Sequence, residues 1–132
     1  MENVMVPQRK PTSTRFLLIV GENEATWKVL QKAIKQEARY LTLVAKTSEE
    51  AIHFARNIQP SLVLIQYHLP DLNGMEVYHR LKAIAPERTL PAIVIMKEGE
   101  QVSHEPFPEL HMLEEPYSLD ILLQLLKYLS MG

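Results

Sequence analysis

Cysteine is absent from the 132 residues, the net charge is only −2, and no long apolar run occurs. Without cysteine the chain has no disulfide, no thiolate zinc site and no thiol catalysis, and it fits a reducing cytoplasm. The small net charge gives no broad positive field, which argues against nucleic acid or an anionic membrane as the main partner. No apolar run approaches the ~20 residues that span a bilayer, and the amino end lacks the apolar core of a signal peptide. We therefore expect a soluble cytoplasmic protein.

The composition is that of an ordinary globular domain. Hydrophobic residues make up 46% and charged residues 23% of the chain, which is too apolar for a disordered protein. Residues 1–14 contain two prolines, three charges and no apolar period, so we expect a flexible amino-terminal tail. The domain should then cover residues 15–130, and we expect no output domain because the sequence stops at Gly132.

Apolar runs of strand length alternate with segments at helical spacing, which indicates an α/β domain with a parallel sheet. The predicted strands are 16–20, 41–45, 62–65, 92–96 and 110–113, and the predicted helices are 24–36, 47–57, 75–84 and 118–129. The first helix should bury a stripe that includes Val29, Leu30 and Ile34. Between the last two strands, Pro106 and Pro108 leave room for only about one helical turn.

Three segments carry a resemblance to a known family. The stretch PSLVLIQYHLPDLNGMEV at 60–77 is similar to a third strand and loop of the form P-D-L-V-L-L-D-x-x-L-P-x-x-x-G. The EEPY at 114–117 is similar to a K-P-F strand end, and FLLIVGEN at 16–23 to a first strand followed by two acids. Over residues 15–130 the chain therefore resembles the response-regulator receiver family.

That resemblance implies a flavodoxin-like (CheY-like) fold. The expected architecture is a doubly wound five-stranded parallel sheet with strand order 2-1-3-4-5. The fourth helix of this fold would be shortened or irregular, since it falls on the proline-broken segment. The family's strand-five loop also implies a cis peptide bond between Glu115 and Pro116.

The resemblance further implies where the chemistry should lie. Receivers use two acids to hold Mg²⁺, an aspartate that accepts the phosphoryl group, and a hydroxyl and a lysine that neutralise its charge. In this sequence those positions carry, in the same order, Gly21, Glu22, Gln66, Met96 and Glu115. A neutral amide is no useful nucleophile, and a phosphoryl group would meet a thioether and a carboxylate. We expect a non-phosphorylatable pseudo-receiver that binds no Mg²⁺ and needs no cofactor.

A lysine stands next to this pocket, where the family usually has a small residue. Lys97 could reach over the pocket and pair with Glu115 or Glu22, or it could point to water. The family's switch aromatic falls on Met112, beside the broken fourth helix. With neither trigger nor switch, we expect a constitutive conformation and signalling by association.

The last helix offers a candidate interface with a protein partner or a second copy of the chain. Ile121, Leu125 and Tyr128 form an apolar stripe beyond the residues needed for the core. Trp27, on the neighbouring first helix, could extend this patch. The alternative is that Trp27 and the stripe cover each other within one chain.

Other functions find less support in the sequence. A phosphorelay receiver with a non-standard acceptor would need another nucleophile, and a small-ligand binder would need a cradle that GENEAT at 21–26, which is not glycine-rich, does not offer. No catalytic constellation is evident, so we expect no enzyme.

The five histidines lack metal-ligand spacing: His53, His68, His79, His104 and His111. In LPDLNG, Asp71 and Asn73 are interpreted as turn formers.

Overall fold

The computed structural model describes residues 15–37, 40–100 and 107–131. Five strands and four helices follow one another in these residues. They are β1 (Phe16–Val20), α1 (Glu24–Glu37), β2 (Leu41–Ala45), α2 (Ser48–Asn57), β3 (Leu62–Gln66), α3 (Gly74–Ile84), β4 (Ala92–Met96), β5 (Leu110–Glu114) and α4 (Leu119–Met131). The predicted elements are confirmed to within one or two residues. The predicted tail, 1–14, lies outside the described residues.

The strands form one parallel sheet in the order β2-β1-β3-β4-β5, as the resemblance implies. The sheet is covered on both faces, which explains the unbroken apolar runs of β1, β3 and β4. α2 and α3 share one buried cluster with the sheet, and α1 and α4 share the other. The fold is therefore the flavodoxin-like fold expected of a receiver. None of the helices within the described ranges is long and apolar enough to cross a membrane.

Side-chain caps fix where α2 and α3 begin. Thr47 accepts a hydrogen bond from the backbone N–H of Glu50 at 3.2 Å, as the T-x-x-E pattern predicts. Asn73 caps α3 through a complete capping box. Asp71 does more than form a turn, because its carboxylate accepts from the Ser48 hydroxyl at 2.5 Å and from the Ser48 N–H at 3.1 Å. The loop after β3 is thereby tied to the start of α2.

The connection between β4 and β5 is irregular where it is described. Residues 97–100 form a turn in which Gly99 has a φ of 76°, a conformation that favours glycine. Phe107 then packs edge-on against Tyr78 of α3, with ring centroids 5.5 Å apart. No helix occurs among the described residues of this connection, and the predicted break at Pro106 lies outside them.

One predicted stripe is wrong in part. Val29 of α1 is 61% exposed, whereas Leu30 and Ile34 are buried as expected. The inward position at this turn is taken by Trp27, which is only 3% exposed. Trp27, Leu30 and Ile34 stand at i, i+3 and i+7, so they form the stripe that faces the sheet.

Candidate functional site

The five pocket positions implied by the resemblance lie at the carboxyl edge of the sheet. Gly21 directly follows β1, and Gln66 and Met96 end β3 and β4. The backbone N–H of Glu115 donates to the carbonyl of Met96 at 2.8 Å, which places the end of β5 beside that of β4. Because parallel strands end at the same edge, these positions come together as in an α/β ligand site.

A tryptophan ring fills the space beside Gly21. A Cβ built on Gly21 would lie 2.3 Å from Cζ2 of Trp27 and 2.7 Å from Oε1 of Gln66. Real Cβ atoms do not approach other atoms so closely, so only glycine allows the indole to sit where it does. Packing against the Trp27 ring therefore requires glycine at position 21.

The predicted surface role of Trp27 is wrong. Its side chain is only 3% exposed, and it belongs to the same buried cluster as Leu122 and Leu126 of α4. Packing the large ring against the sheet removes more of its apolar surface from water than exposing it on the surface of α1 would, so the buried position has the lower free energy. Trp27 is therefore covered within its own chain, and of the predicted stripe only Leu125 packs against the cluster that contains it.

Two polar atoms at this site are buried without a hydrogen-bond partner. They are Nε1 of Trp27, a donor, and Oε1 of Gln66, an acceptor. The indole N–H cannot ligate a cation, and the Gln66 amide carries no charge for one. Within the described residues no group of three His, Asp or Glu side chains could hold a metal ion. The site is thus built around an aromatic ring and an amide.

The predicted ion pair of Lys97 with Glu115 or Glu22 is wrong. Ion pairs within 4 Å join Lys46 with Glu24, His68 with Glu100 and Lys82 with Glu109, and none joins Lys97 to Glu115 or Glu22. Lys97 and Glu115 line one shallow cleft of about 530 Å³ without meeting. The backbone of Lys97 is instead held in the 97–100 turn, where its N–H donates to Glu100 Oε1 at 3.1 Å.

Glu100 joins two loops above the pocket. Its Oε2 lies 2.5 Å from Nε2 of His68, in the loop after β3. Burial acts to raise the pKa of Glu100, but the Lys97 N–H and His68 outweigh it, so the pKa lies below its ordinary value. Glu114 adds a second link by accepting from the Gly99 N–H at 2.9 Å. Sequence reasoning missed the His68–Glu100 pair because 32 residues separate its partners.

The expected cis peptide bond between Glu115 and Pro116 is present. Met112, at the position of the switch aromatic, is partly buried and packs against the core cluster of α2 and α3. The peptide-bond geometry that the resemblance implies after β5 is thus confirmed.

The candidate interface residues on α4 differ in how far they are exposed. Ile121 is 55% and Tyr128 68% exposed, whereas Leu125 is partly buried against the core. Tyr128 also lines an apolar cleft of about 540 Å³ with Pro91, Pro108 and other residues on the β4 and β5 side. Tyr128 therefore lies on the β4 and β5 side of α4, and the buried Trp27 is not part of this exposed surface.

Comparison with known proteins places this geometry in a family. The sequence model of the response regulator receiver domain matches residues 17–110. A Brucella ovis protein named polar-differentiation response regulator DivK is 32% identical over 82 residues, which are 62% of this chain and 66% of that protein. The Brucella anthropi protein of the same name is 31% identical over 81 residues, 61% of this chain and 65% of that protein. The chain thus spans just under two thirds of these curated relatives.

Solved structures show the same fold. The receiver domain (CheY-like) from Methylobacillus flagellatus has a TM-score of 0.76 and 19% identity, covering 89% of this chain and 99% of that one. A two component transcriptional regulator AraC from Clostridium phytofermentans has a TM-score of 0.78 and 18% identity, covering 89% and 94%. Together with the family match over most of the sequence, these findings lead to one conclusion: the chain belongs to the response regulator receiver domain family of two-component signalling.

Proposed function

We propose that the chain is a pseudo-receiver, which accepts no phosphoryl group and acts in two-component signalling by binding other proteins. The observation that carries the proposal is the Trp27 indole packed directly against Gly21. An acidic side chain at position 21 would have to occupy the space that the ring fills. A carboxylate at position 21 and this ring therefore exclude each other, which leaves Glu22 as the one acid of the pair.

The other pocket residues support the same conclusion. Phosphoryl transfer to a receiver needs an anionic nucleophile and positive charge around the transferred group. Gln66 offers a neutral amide, and Glu115 stands where a cation is needed. Lys97 makes no ion pair into this pocket with any described carboxylate. A phosphoryl group would gain neither a covalent bond nor charge compensation here.

Incubation with acetyl phosphate and Mg²⁺, followed by intact-protein mass spectrometry, tests this part. We expect no phosphoryl adduct on the unaltered chain, and none on Gln66→Asp, because an aspartate alone restores neither the metal site nor the lysine. A phosphoryl adduct on the unaltered chain would contradict the proposal. It would instead support the alternative, a phosphorelay receiver that uses a non-standard acceptor.

The binding surface is proposed to be the exposed side of α4. Ile121 and Tyr128 are two of the large apolar side chains that stay exposed, and Leu125 lies partly buried between them. Burying both exposed side chains against a partner would remove apolar area that a monomer leaves in water. The Brucella relatives are named response regulators, which supports a role in signalling and does not indicate the partner.

Sedimentation velocity over a concentration series tests whether a second copy is that partner. We expect association that is lost in the double variant Ile121→Asp, Tyr128→Asp and kept in Gln124→Asp, which alters an exposed polar residue of the same helix. Association that persists in the double variant would show that α4 is not the interface. A monomer at high micromolar concentration would exclude the second copy and leave a different protein as the partner.

A further inference from the structure

The outer edge of the sheet at β2 has no strand beside it in the described part of the chain. β2 lies at the end of the strand order and pairs with β1 alone among the described strands. Its sequence, LTLVA, contains neither a charged residue nor a proline, which usually protect an edge strand from further pairing. Leu41, its first residue, is 53% exposed. Within the described residues the edge of β2 is thus open to a further strand.

Two residues of β2 point their backbone groups away from β1. The N–H of Leu41 and the carbonyl of Ala45 both bond, at 2.9 Å, to backbone groups directly before and after β1. Because backbone groups alternate in direction along a strand, those of Thr42 and Val44 face outward. A strand beside β2 can bond to both N–H groups and both carbonyls of this pair, as in β-strand addition.

The two faces of the sheet differ in chemistry beside this edge. Leu43 packs with the cluster of α2 and α3 and Val44 with that of α1 and α4, so the side chains of β2 alternate between the faces. Leu41 shares the face of Leu43, where the edge is apolar. On the other face, Nε2 of Gln31 in α1 donates to the Thr42 hydroxyl oxygen at 2.8 Å. The side of α1 that carries Gln31 therefore sets the chemistry on that face.

That side of α1 is basic. Lys28 and Lys35 lie three residues before and four residues after Gln31, which places all three on one side of the helix. Both lysines are exposed, and no ion pair within 4 Å joins either of them to a described carboxylate. Glu24, the acid in the first turn of α1, is paired with Lys46. Net positive charge therefore lies beside the α1 face of the edge, although the whole chain has a charge of −2.

We infer that β2 is a docking edge for an extended segment of a partner protein in which acidic and apolar residues alternate. Its backbone pairs with Thr42 and Val44. Its carboxylates lie beside Lys28 and Lys35 on the α1 face, and its apolar side chains cover Leu41 on the other face. Every second side chain of an added strand lies on the same face, so one alternating segment matches both faces at once. This inference does not depend on the proposed role of α4.

Titration of the full chain with the peptide acetyl-Glu-Val-Glu-Val-Glu-Val-amide tests the site by amide chemical shifts and hydrogen exchange. We expect the shifts to map to β2 and to the neighbouring side of α1. At saturation, exchange of the Thr42 and Val44 amides should slow about tenfold or more, because both gain a hydrogen-bond partner. The Leu43 amide, which faces β1, should keep its exchange rate.

Two pairs of substitutions test the charges. Lys28→Gln, Lys35→Gln should weaken binding about threefold or more, because two charge pairs are lost. The matched control Arg56→Gln, Arg80→Gln removes the same charge from exposed positions on α2 and α3 and should change the affinity less than about twofold. A peptide of the same composition in the order Glu-Glu-Glu-Val-Val-Val should bind about tenfold more weakly, because its acids no longer share one face.

Five results would overturn the inference. The first four are no binding of the alternating peptide at millimolar concentration, equal losses in the lysine and arginine variants, equal binding of the reordered peptide, and shifts that map to α4. The fifth is protection of the Thr42 and Val44 amides in the free chain, because the edge would then be covered by the chain itself or by a second copy. The Ile121→Asp, Tyr128→Asp variant should bind the peptide normally, so failure at α4 and failure at β2 are distinguishable.

Discussion

Replacing Gly21 with alanine is the sharpest test of how the pocket is filled. The new methyl group would lie 2.3 Å from Cζ2 and 2.8 Å from Cε2 of Trp27, and 2.7 Å from Oε1 of Gln66. An ordinary contact needs 3.4–4 Å, so the ring would have to retreat by about 1 Å. The indole is buried on the sheet and cannot swing into water without losing that burial.

The expected cost combines two opposing effects. Overpacking of a well-packed site costs about 1–3 kcal/mol. Gly→Ala also restricts the unfolded chain, which stabilises the native state by about 0.4–1 kcal/mol where the backbone angle suits alanine, and Gly21 does not have a positive φ. We therefore expect Gly21→Ala to lower the free energy of unfolding by about 1–2 kcal/mol.

Urea unfolding and fluorescence measure this directly, because Trp27 is the sole tryptophan of the chain. We expect a lower urea midpoint together with a changed native emission spectrum. In a Trp27→Leu background the same alanine should cost less, with a coupling free energy of about 1 kcal/mol or more in the double-mutant cycle.

Gly99→Ala serves as the control for this experiment. A Cβ at Gly99 meets no atom of the described residues within 4 Å, but its φ of 76° strains any other residue. This variant should lose about 1 kcal/mol while the tryptophan emission stays unchanged. The packing argument is refuted if Gly21→Ala leaves stability and emission as they were, or if it costs the same in both backgrounds.

Two further predictions concern the loops and the core. The Ser48 hydroxyl and N–H lower the pKa of Asp71, so its stabilising effect is present above the unfolded pKa and is lost as the pH falls through the lower folded pKa. Asp71→Asn should therefore cost about 1 kcal/mol at neutral pH and flatten the acid limb of a plot of the urea midpoint against pH. An unchanged acid limb would contradict a stabilising role of the hydrogen bonds from Ser48 to Asp71. Tyr78→Phe removes a buried 3.1 Å hydrogen bond to the Leu90 carbonyl and should cost about 1–2 kcal/mol in urea unfolding, and a neutral result would show that water satisfies that carbonyl.

The sheet could be predicted from the sequence because its signals are local. β1, β3 and β4 are unbroken apolar runs, and their order follows from the resemblance. The cap at Thr47 is likewise a short pattern within one turn, whereas Asn73 was interpreted only as a turn former and also caps α3. Each of these depends on residues close together in the sequence, so no coordinates are needed to find them.

The pocket depends on contacts between distant residues, and there the sequence was misleading. Trp27 carries the right helical spacing with Leu30 and Ile34, yet it was interpreted as a possible extension of the surface patch on α4. The missing signal was Gly21, since a glycine at the end of a buried strand permits a large ring to lie against the backbone. The partner of Lys97 could not be predicted either, because a flexible lysine beside several carboxylates has many possible geometries of similar energy.

Under the proposed function, the pocket also explains why no small trigger should switch this chain. A ligand shifts a conformational equilibrium only by the difference in its affinity for the two states. Here the loops after β3 and β4 are already joined through His68 and Glu100, and the 97–100 turn is joined to β5 through Gly99 and Glu114. Because the indole lies beside Gly21 and carboxylates of the chain already join the loops, a phosphoryl group would not stabilise a second conformation. Any regulation must then act through the partner's concentration or through the partner's own changes of state.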